Sequence, residues 1–246
     1  MAALKRFFAE NIGDTAELCG EEFEHAKNVL RLGVGDEVVL LDNSGKEYTA
    51  IVASVEKRKM LLNVLGVCEG DKEANANVAL AFGYLKNADK NEFIVQKAVE
   101  LGVKKLVAFS SEFSSAYMNE NKLERLNKVS KEAAKQCLRS VAPTVTYAAN
   151  FKDALEELSG YKNKLFACEF ATDSKADIRA LSGDAAIVIG SEGGFSREEE
   201  TLANEKGFAS VTLGKRILRA ETAAVAFTSV VMFALGELGL GAGEDK

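Results

Sequence analysis

The chain has 246 residues, of which 47% are hydrophobic and 28% are charged, and its formal net charge is −6. This length suits one large domain or two modest ones, and the negative charge argues against a protein coated in positive charge for indiscriminate nucleic-acid binding. A local basic groove is still compatible with these numbers, because binding depends on where the charge lies. The four cysteines form no CxxC pair, His25 is the single histidine and no GxSxG segment occurs, which argues against a cysteine zinc site and a Ser-His-Asp hydrolase. We expect no metal.

The first 70 residues are rich in strand-forming residues and make up the first predicted domain, 1–70. One short helix is predicted near Glu21–Arg31, before Gly33. A hairpin turn is predicted at Asp42–Gly45, where Asn and Gly accept positive φ. The strand-like runs are Glu37–Leu41, Tyr48–Val55 and Met60–Val67. Short strands with one helix indicate a small barrel-like module.

After a polar linker at Gly70–Asn77, strands and helices alternate, which is typical of an α/β domain and gives the second predicted domain, 71–246. Its first unit is a strand, a helix ending at Gly102 and a second, parallel strand. The predicted strands are Val78–Phe82, Lys105–Phe109, Leu165–Cys168, Ala186–Ile189 and Ser210–Leu213. The predicted helices are Glu92–Leu101, Asn121–Leu138, Arg197–Lys206 and Glu221–Leu235.

The most apolar stretch of the chain, residues 222–235, contains no charged residue. It is shorter than the roughly 20 residues that a membrane-spanning helix needs, so it predicts a buried helix. No signal-peptide pattern opens the sequence. We therefore expect a cytoplasmic protein without a membrane span.

A glycine-rich connection follows the strand that ends at Ile189, in the segment IVIGSEGGFSREE. Gly190, Gly193 and Gly194 allow a tight turn with close backbone approach, and Ser196 with Glu199 predicts a capping box on the next helix. Ligands of open α/β sheets bind beyond the carboxyl ends of strands, where this loop falls. The spacing fits neither GxxxxGK[ST] nor GxGxxG, so the loop indicates a nucleoside-like ligand at most, or a turn without any ligand.

A second strand-end glycine loop lies in the segment LGKRILRAETAA, which begins at Leu213. Lys215, Arg216 and Arg219 bring positive charge near the first glycine loop if the two strands are neighbours. Arg219 and Glu221 either act on a substrate, or Arg219 forms an ordinary solvated ion pair with Glu221 or Glu192.

Five segments in order resemble the RsmE family, the uridine N3-methyltransferases of small-subunit ribosomal RNA in the SPOUT superfamily. They are HAKNVLRLGVGDEV from His25, KNEFIVQKAVELGV from Lys90, EAAKQCLRSVAPTV from Glu132, GSEGGFS from Gly190 and LGKRILRAETAA from Leu213. The resemblance covers nearly the whole chain. The family commonly has proline where this chain has Ser191, which predicts a slightly looser loop with ligand binding retained.

The resemblance implies a SPOUT-type α/β trefoil knot catalytic domain, preceded by a small PUA-like β-barrel domain that docks RNA. It implies a homodimer with the active site at the subunit interface. It also implies that S-adenosylmethionine binds in the knot, on the loops that follow three strands. The cofactor-binding residues so implied are Ala167, Gly190, Glu192, Gly193, Gly194, Leu213, Gly214, Ile217 and Leu218.

The implied reaction is methylation of N3 of a specific uridine in 16S ribosomal RNA, either as free RNA or in the small ribosomal subunit. Arg219 is the candidate cation that favours the deprotonated base, and Glu221 or water is the candidate proton acceptor. The candidate RNA contacts are Arg6, His25, Arg31, Gln136 and Arg139. Two alternatives stay open: a SPOUT enzyme with another target, such as a transfer-RNA ribose 2′-hydroxyl, and a non-catalytic RNA-binding ribosome assembly factor.

Overall fold

The computed structural model describes residues 4–114, 116–168 and 176–239, and the chain divides into two compact units. The first unit comprises residues up to 73 together with residues 134–142. The second comprises residues 74–133 and the chain from 143 onward. The short segment 134–142 in the first unit had no signal in the sequence, because the helical pattern runs through its start without a break.

The first unit is built on a five-stranded sheet in the order β1-β3-β4-β5-β2, in which β1 and β3 are parallel and the other pairs antiparallel. Register shifts in the β4–β5 ladder, at Thr49/Ala50 and Val52/Ser54, mark bulges that curl the sheet. The curled sheet encloses a core that includes Phe7, Leu40 and Leu62. The strands are β1 (Lys5–Phe8), β2 (Thr15–Cys19), β3 (Glu37–Leu41), β4 (Lys46–Val55) and β5 (Lys59–Glu69).

The helix of the first unit begins as α1 (Gly20–Glu24) and continues as a π-helical turn, His25–Val29. The backbone N–H of Leu30 donates to the His25 carbonyl at 3.0 Å, which widens the last turn. Arg31 then has a φ of 57°, so the helix stops before the predicted end at this residue. The predicted hairpin turn is confirmed, since Asn43 and Gly45 have φ values of 66° and 97° between β3 and β4.

The second unit holds a six-stranded, wholly parallel sheet in the order β11-β9-β10-β6-β7-β8. Every residue of β6 and β10 is buried, which explains why these strands read as continuous apolar runs rather than as alternating ones. The strands are β6 (Val78–Gly83), β7 (Lys105–Phe109), β8 (Val145–Ala148), β9 (Asn163–Ala167), β10 (Ala185–Ile189) and β11 (Ala209–Val211). The helices are α2 (Ala88–Glu100), α3 (Glu120–Gln136), α4 (Phe151–Glu157), α5 (Arg197–Glu205) and α6 (Ala220–Ala234).

Two features of this sheet correct the sequence analysis. β8 and α4 were not predicted, although Asn150 caps α4 by accepting from the Asp153 N–H at 2.9 Å. β10 and β11 are not neighbours, because β9 pairs with both of them. The two glycine loops are therefore separated by one strand at the carboxyl edge of the sheet. Among the described residues, no helix combines the length and apolar character that crossing a bilayer requires.

Candidate active site

A cleft opens at the carboxyl ends of β9, β10 and β11. Its walls include Ala167 at the end of β9, Gly190 and Gly194 after β10, residues 212–218 after β11, and the first turn of α6. The cleft has a volume of about 190 Å³ and opens to solvent at its mouth. The segment after β11 returns over the end of β9, so both glycine loops reach one cleft although their strands are not adjacent.

The loop after β10 is held close to the end of β6. A Cβ atom placed on Gly83, the last residue of β6, would lie 2.4 Å from the backbone nitrogen of Ser191. The loop closes on itself where the Gly194 N–H donates to the Ser191 carbonyl at 3.0 Å, with Gly194 at a φ of 68°. The absence of side chains at these glycines is what allows the backbone to form one wall of the cleft.

The predicted capping box at the start of α5 is confirmed. The Ser196 Oγ accepts from the Glu199 N–H at 3.1 Å, and the Glu199 Oε2 accepts from the Ser196 N–H at 3.0 Å. Phe195 lies just before the box and packs on Phe166 of β9 with ring centroids 4.3 Å apart. The loop is thus fixed at its end by hydrogen bonds and from beneath by buried aromatic rings.

The cleft brings together seven of the nine residues predicted to bind the cofactor. Glu192 and Gly193 do not line it. The Glu192 Oε1 instead accepts from the Lys86 N–H at 3.2 Å, and a Cβ on Gly193 would lie 2.5 Å from the Cβ of Phe113. The predicted residues in the walls are Ala167, Gly190, Gly194, Leu213, Gly214, Ile217 and Leu218.

Other wall residues were missed by the sequence analysis. These are Phe195, Val211 and Thr212; Lys215 and Arg216, which the sequence analysis named only as positive charge near the glycine loop, also line the cleft. Each of these residues is next to or near a predicted residue in the chain. The whole segment at the end of each strand, and not its glycines alone, therefore indicated the wall of the cleft. The predicted loop after β9, beginning at residue 169, lies outside the described residues.

Arg219 and Glu221 lie at the start of α6, next in the chain to the cleft residues Leu218 and Ala220, but neither lines the cleft. Arg219 is the exposed N-cap residue of α6, and its side chain forms no hydrogen bond or ion pair with the residues that the structure describes. Glu221 lies 3.0 Å from the Lys90 Nζ in an ion pair. Burial alone would raise the pKa of Glu221, but hydrogen bonds from its own N–H and from Lys90, with the charges of Lys90 and Arg219, hold it below its usual value.

Comparison with known proteins fits this arrangement. The sequence model of a family described as an RNA methyltransferase domain matches residues 72–232, and that of an RNA methyltransferase PUA domain matches residues 18–65. The ribosomal RNA small subunit methyltransferase E of Bacillus subtilis is 30% identical over 232 residues, covering 89% of this chain and 90% of the relative. The chain belongs to the small-subunit ribosomal RNA methyltransferase E family.

Solved structures of similar proteins show the same fold. The methyltransferase E of Neisseria gonorrhoeae, solved bound to S-adenosylmethionine, is 31% identical with a TM-score of 0.85, covering 95% of this chain and 98% of the relative. A Legionella pneumophila protein solved with this cofactor is 27% identical with a TM-score of 0.86, at the same coverage. The chain therefore has the SPOUT methyltransferase fold preceded by a PUA-like module, as the resemblance implied.

Three of the five candidate RNA contacts, Arg6, His25 and Arg139, contact other residues of the first unit. Arg6 forms an ion pair with Glu47 and has a largely buried side chain. His25 is half-buried and meets the ring of Phe7 edge to face, with centroids 6.0 Å apart. These contacts stabilise the small sheet domain; the Arg6 side chain is largely buried, whereas His25 keeps part of its surface exposed.

Arg139 is buried and its guanidinium donates twice to the Glu73 carboxylate, at 2.7 and 3.0 Å. Glu73 also accepts from the backbone N–H groups of Ser140 and Val141, both at 3.1 Å. This network fixes segment 134–142 to the end of β5 and its following residues. Arg31 and Gln136, by contrast, are exposed.

Proposed function

We propose that the chain is an S-adenosylmethionine-dependent methyltransferase that methylates N3 of a uridine in 16S ribosomal RNA. The observation that carries this proposal is the cleft at the ends of β9, β10 and β11. Arg219, which lies between the cleft residues Leu218 and Ala220 in the chain, has no ion-pair partner among the described residues. The relatives of the chain support the assignment, because they bear the name ribosomal RNA small subunit methyltransferase E. Two of the similar solved structures hold the cofactor.

The walls of the cleft suit this cofactor by their chemistry. Ile189 and Leu218 offer apolar surface for a purine ring, whereas Gly190, Gly194 and Gly214 have no side chains, which lets a ligand approach the backbone closely. When bound, the cofactor would supply a methyl group on a sulfonium, whose carbon a nucleophile attacks in line while the sulfur leaves as a neutral thioether. The contribution of the protein is then positioning and electrostatics rather than metal-assisted chemistry.

Arg219 has the position and charge to act on the base. The N3 atom of uracil carries a proton that must leave before the nitrogen can attack, and a nearby cation favours the deprotonated form. The N3–carbon bond forms as the carbon–sulfur bond breaks, and the proton passes to water or to Glu221. The ion pair between Lys90 and Glu221 favours water as the acceptor, because a carboxylate with a lowered pKa is a weaker base.

The test compares Arg219→Ala with Arg219→Lys and with the control Arg197→Ala, since Arg197 pairs with Glu200 on α5. With unmodified 16S RNA as substrate, Arg219→Ala should lower kcat by about 100-fold or more while the Kd for S-adenosylmethionine stays unchanged. Arg219→Lys should restore part of the loss, and Arg197→Ala should be neutral. Unchanged turnover in Arg219→Ala would remove this residue from catalysis.

The remaining parts of the proposal concern RNA docking and assembly. The PUA-like unit docks the RNA, with Arg31 and Gln136 as its exposed candidate contacts. The enzyme works in the cytoplasm as a homodimer. In support, α6 buries Phe227 and Val231 but leaves Val230 and Phe233 exposed by 48% and 60%, which suits a helix with a further apolar partner. Light scattering that gave the mass of a single chain would refute the dimer.

A further inference from the structure

Two aromatic rings are exposed on the loop between β7 and α3, at the same edge of the sheet as the cleft. Phe113 is 49% exposed and Tyr117 is 78% exposed. The other phenylalanines near this edge, such as Phe109 and Phe195, are buried and stack with centroids 6.4 Å apart. The exposed pair, Phe113 and Tyr117, is called the aromatic pair below.

The loop that carries Phe113 is tied directly to the wall of the cleft. The Ser111 Oγ lies 3.3 Å from the Ser191 Oγ, and the Glu112 N–H donates to the Glu199 Oε1 at 3.0 Å. Ser191 is thereby joined to the neighbouring loop through a hydroxyl that proline would lack. These two contacts link the residues just before Phe113 to both ends of the glycine loop.

Phe113 also packs against that glycine loop. A Cβ on Gly193 would lie 2.5 Å from the Phe113 Cβ and 3.1 Å from its carbonyl oxygen, so only glycine allows this approach. Gly193 does not line the cleft, whereas its neighbour Gly194 does. Gly193 therefore makes room for Phe113 rather than for the cofactor, and Phe113 lies beside the wall that the cofactor would contact.

The far end of the loop is anchored as well. The Lys122 Nζ donates to the Tyr117 carbonyl at 2.7 Å, and the Asn119 side chain caps the start of α3 by accepting from the Lys122 N–H at 2.9 Å. Phe113 follows Glu112 in the chain, Tyr117 is itself held by the hydrogen bond from Lys122, and both rings are exposed. Such a ring presents a flat face to a ligand with little further loss of conformational freedom.

We infer that the aromatic pair, Phe113 above all, stacks on an unpaired base of the RNA substrate and positions it beside the methyl donor. This inference rests on the proposed function. The N3 atom lies on the pairing edge of uracil, so the target base must be unpaired and out of its stack before it can react. Aromatic side chains hold such bases by stacking, which tolerates any base and depends on the ring face.

The test measures the binding of fluorescently labelled, unmodified 16S RNA transcript by anisotropy, separately from turnover. Phe113→Leu keeps an apolar side chain but removes the ring face, so the Kd for RNA should rise about 10-fold, whereas Phe113→Tyr should bind like the unaltered protein. The Kd for S-adenosylmethionine should change less than twofold in both. Phe93→Leu is the matched control, because Phe93 is 41% exposed on α2 and lines no part of the cleft.

Gly193→Ala provides an independent variant, since the added methyl group displaces Phe113 without altering its ring. It should weaken RNA binding in the same direction as Phe113→Leu. Unchanged RNA affinity in Phe113→Leu would overturn the inference. A loss of cofactor affinity in this variant as large as its loss of RNA affinity would also overturn the inference. A fall of the dimer to the mass of a single chain, with RNA affinity intact, would overturn it as well, because the ring would then contact a second copy of the chain. Because anisotropy needs no turnover, failure of the unaltered protein to methylate the transcript would refute the proposed function separately.

Discussion

Substituting Gly83 by alanine probes the close contact that positions the glycine loop. The new Cβ would lie 2.4 Å from the Ser191 nitrogen, 2.9 Å from the Gly190 carbonyl carbon and 3.0 Å from the Ser191 Cα. All three atoms belong to the backbone, so no flexible side chain can move aside. Ordinary contact begins at 3.4 Å, so the end of β6 and the loop must separate by 1.0 Å, the difference between 3.4 and 2.4 Å.

Overpacking of this kind costs about 1–3 kcal/mol of the free energy of unfolding. A misplacement of about 1 Å near reacting groups lowers a rate by about 100-fold, so Gly83→Ala should lose that much in single-turnover methyl transfer. Gly160→Ala is the matched control, since nothing lies within 4 Å of its added Cβ. Urea unfolding and single-turnover rates measure both effects. If Gly83→Ala matched Gly160→Ala in rate and stability, the close approach of β6 to the loop would have no role in positioning it.

Two further predictions concern ion pairs. Lys90→Met should lower the free energy of unfolding by about 1–2 kcal/mol at pH 7, because it leaves the half-buried Glu221 without its cation. The pKa of Glu221 is lowered in the folded protein, so this stabilisation is present above the usual pKa of a glutamate, about 4.3, and is lost as pH falls through the folded value. Urea unfolding at pH 7 and pH 3 should show the difference shrinking, and an equal difference at both would contradict the assignment. Arg139→Met should destabilise the PUA-like unit by about 3–5 kcal/mol, since Glu73 would lose its buried partner. Thermal unfolding checks this, and an unchanged Tm would show that the pair contributes nothing.

Strands with strong local signals were predicted closely. Glu37–Leu41 and Lys105–Phe109 have the predicted bounds, because an apolar run between polar turn residues defines each of them. β1, β2 and β8 were missed, since each pairs with a strand more than 30 residues away in the chain. Their stability comes from non-local neighbours, which a short window of sequence does not contain.

The same distinction applies to the site. The glycine turn and the capping box at Ser196 were predicted because their chemistry is local. The partner of Gly193 was not, since Phe113 lies in a different loop and meets it only in the folded sheet. Likewise, the pairing of Glu221 with Lys90 joins the starts of α6 and α2, and no spacing rule connects them. The candidate RNA contact Arg139 resembled an exposed helix end but is buried against Glu73.

The most direct test of the proposed reaction is the identity of the methylated nucleoside. Unmodified 16S RNA would be incubated with the protein and S-adenosylmethionine carrying a deuterated methyl group, digested to nucleosides and analysed by mass spectrometry. The predicted result is labelled N3-methyluridine, formed about 100-fold more slowly when Arg219→Ala replaces the unaltered protein. A label on a ribose 2′-oxygen or on another base, or no label with active cofactor and intact RNA, would contradict it.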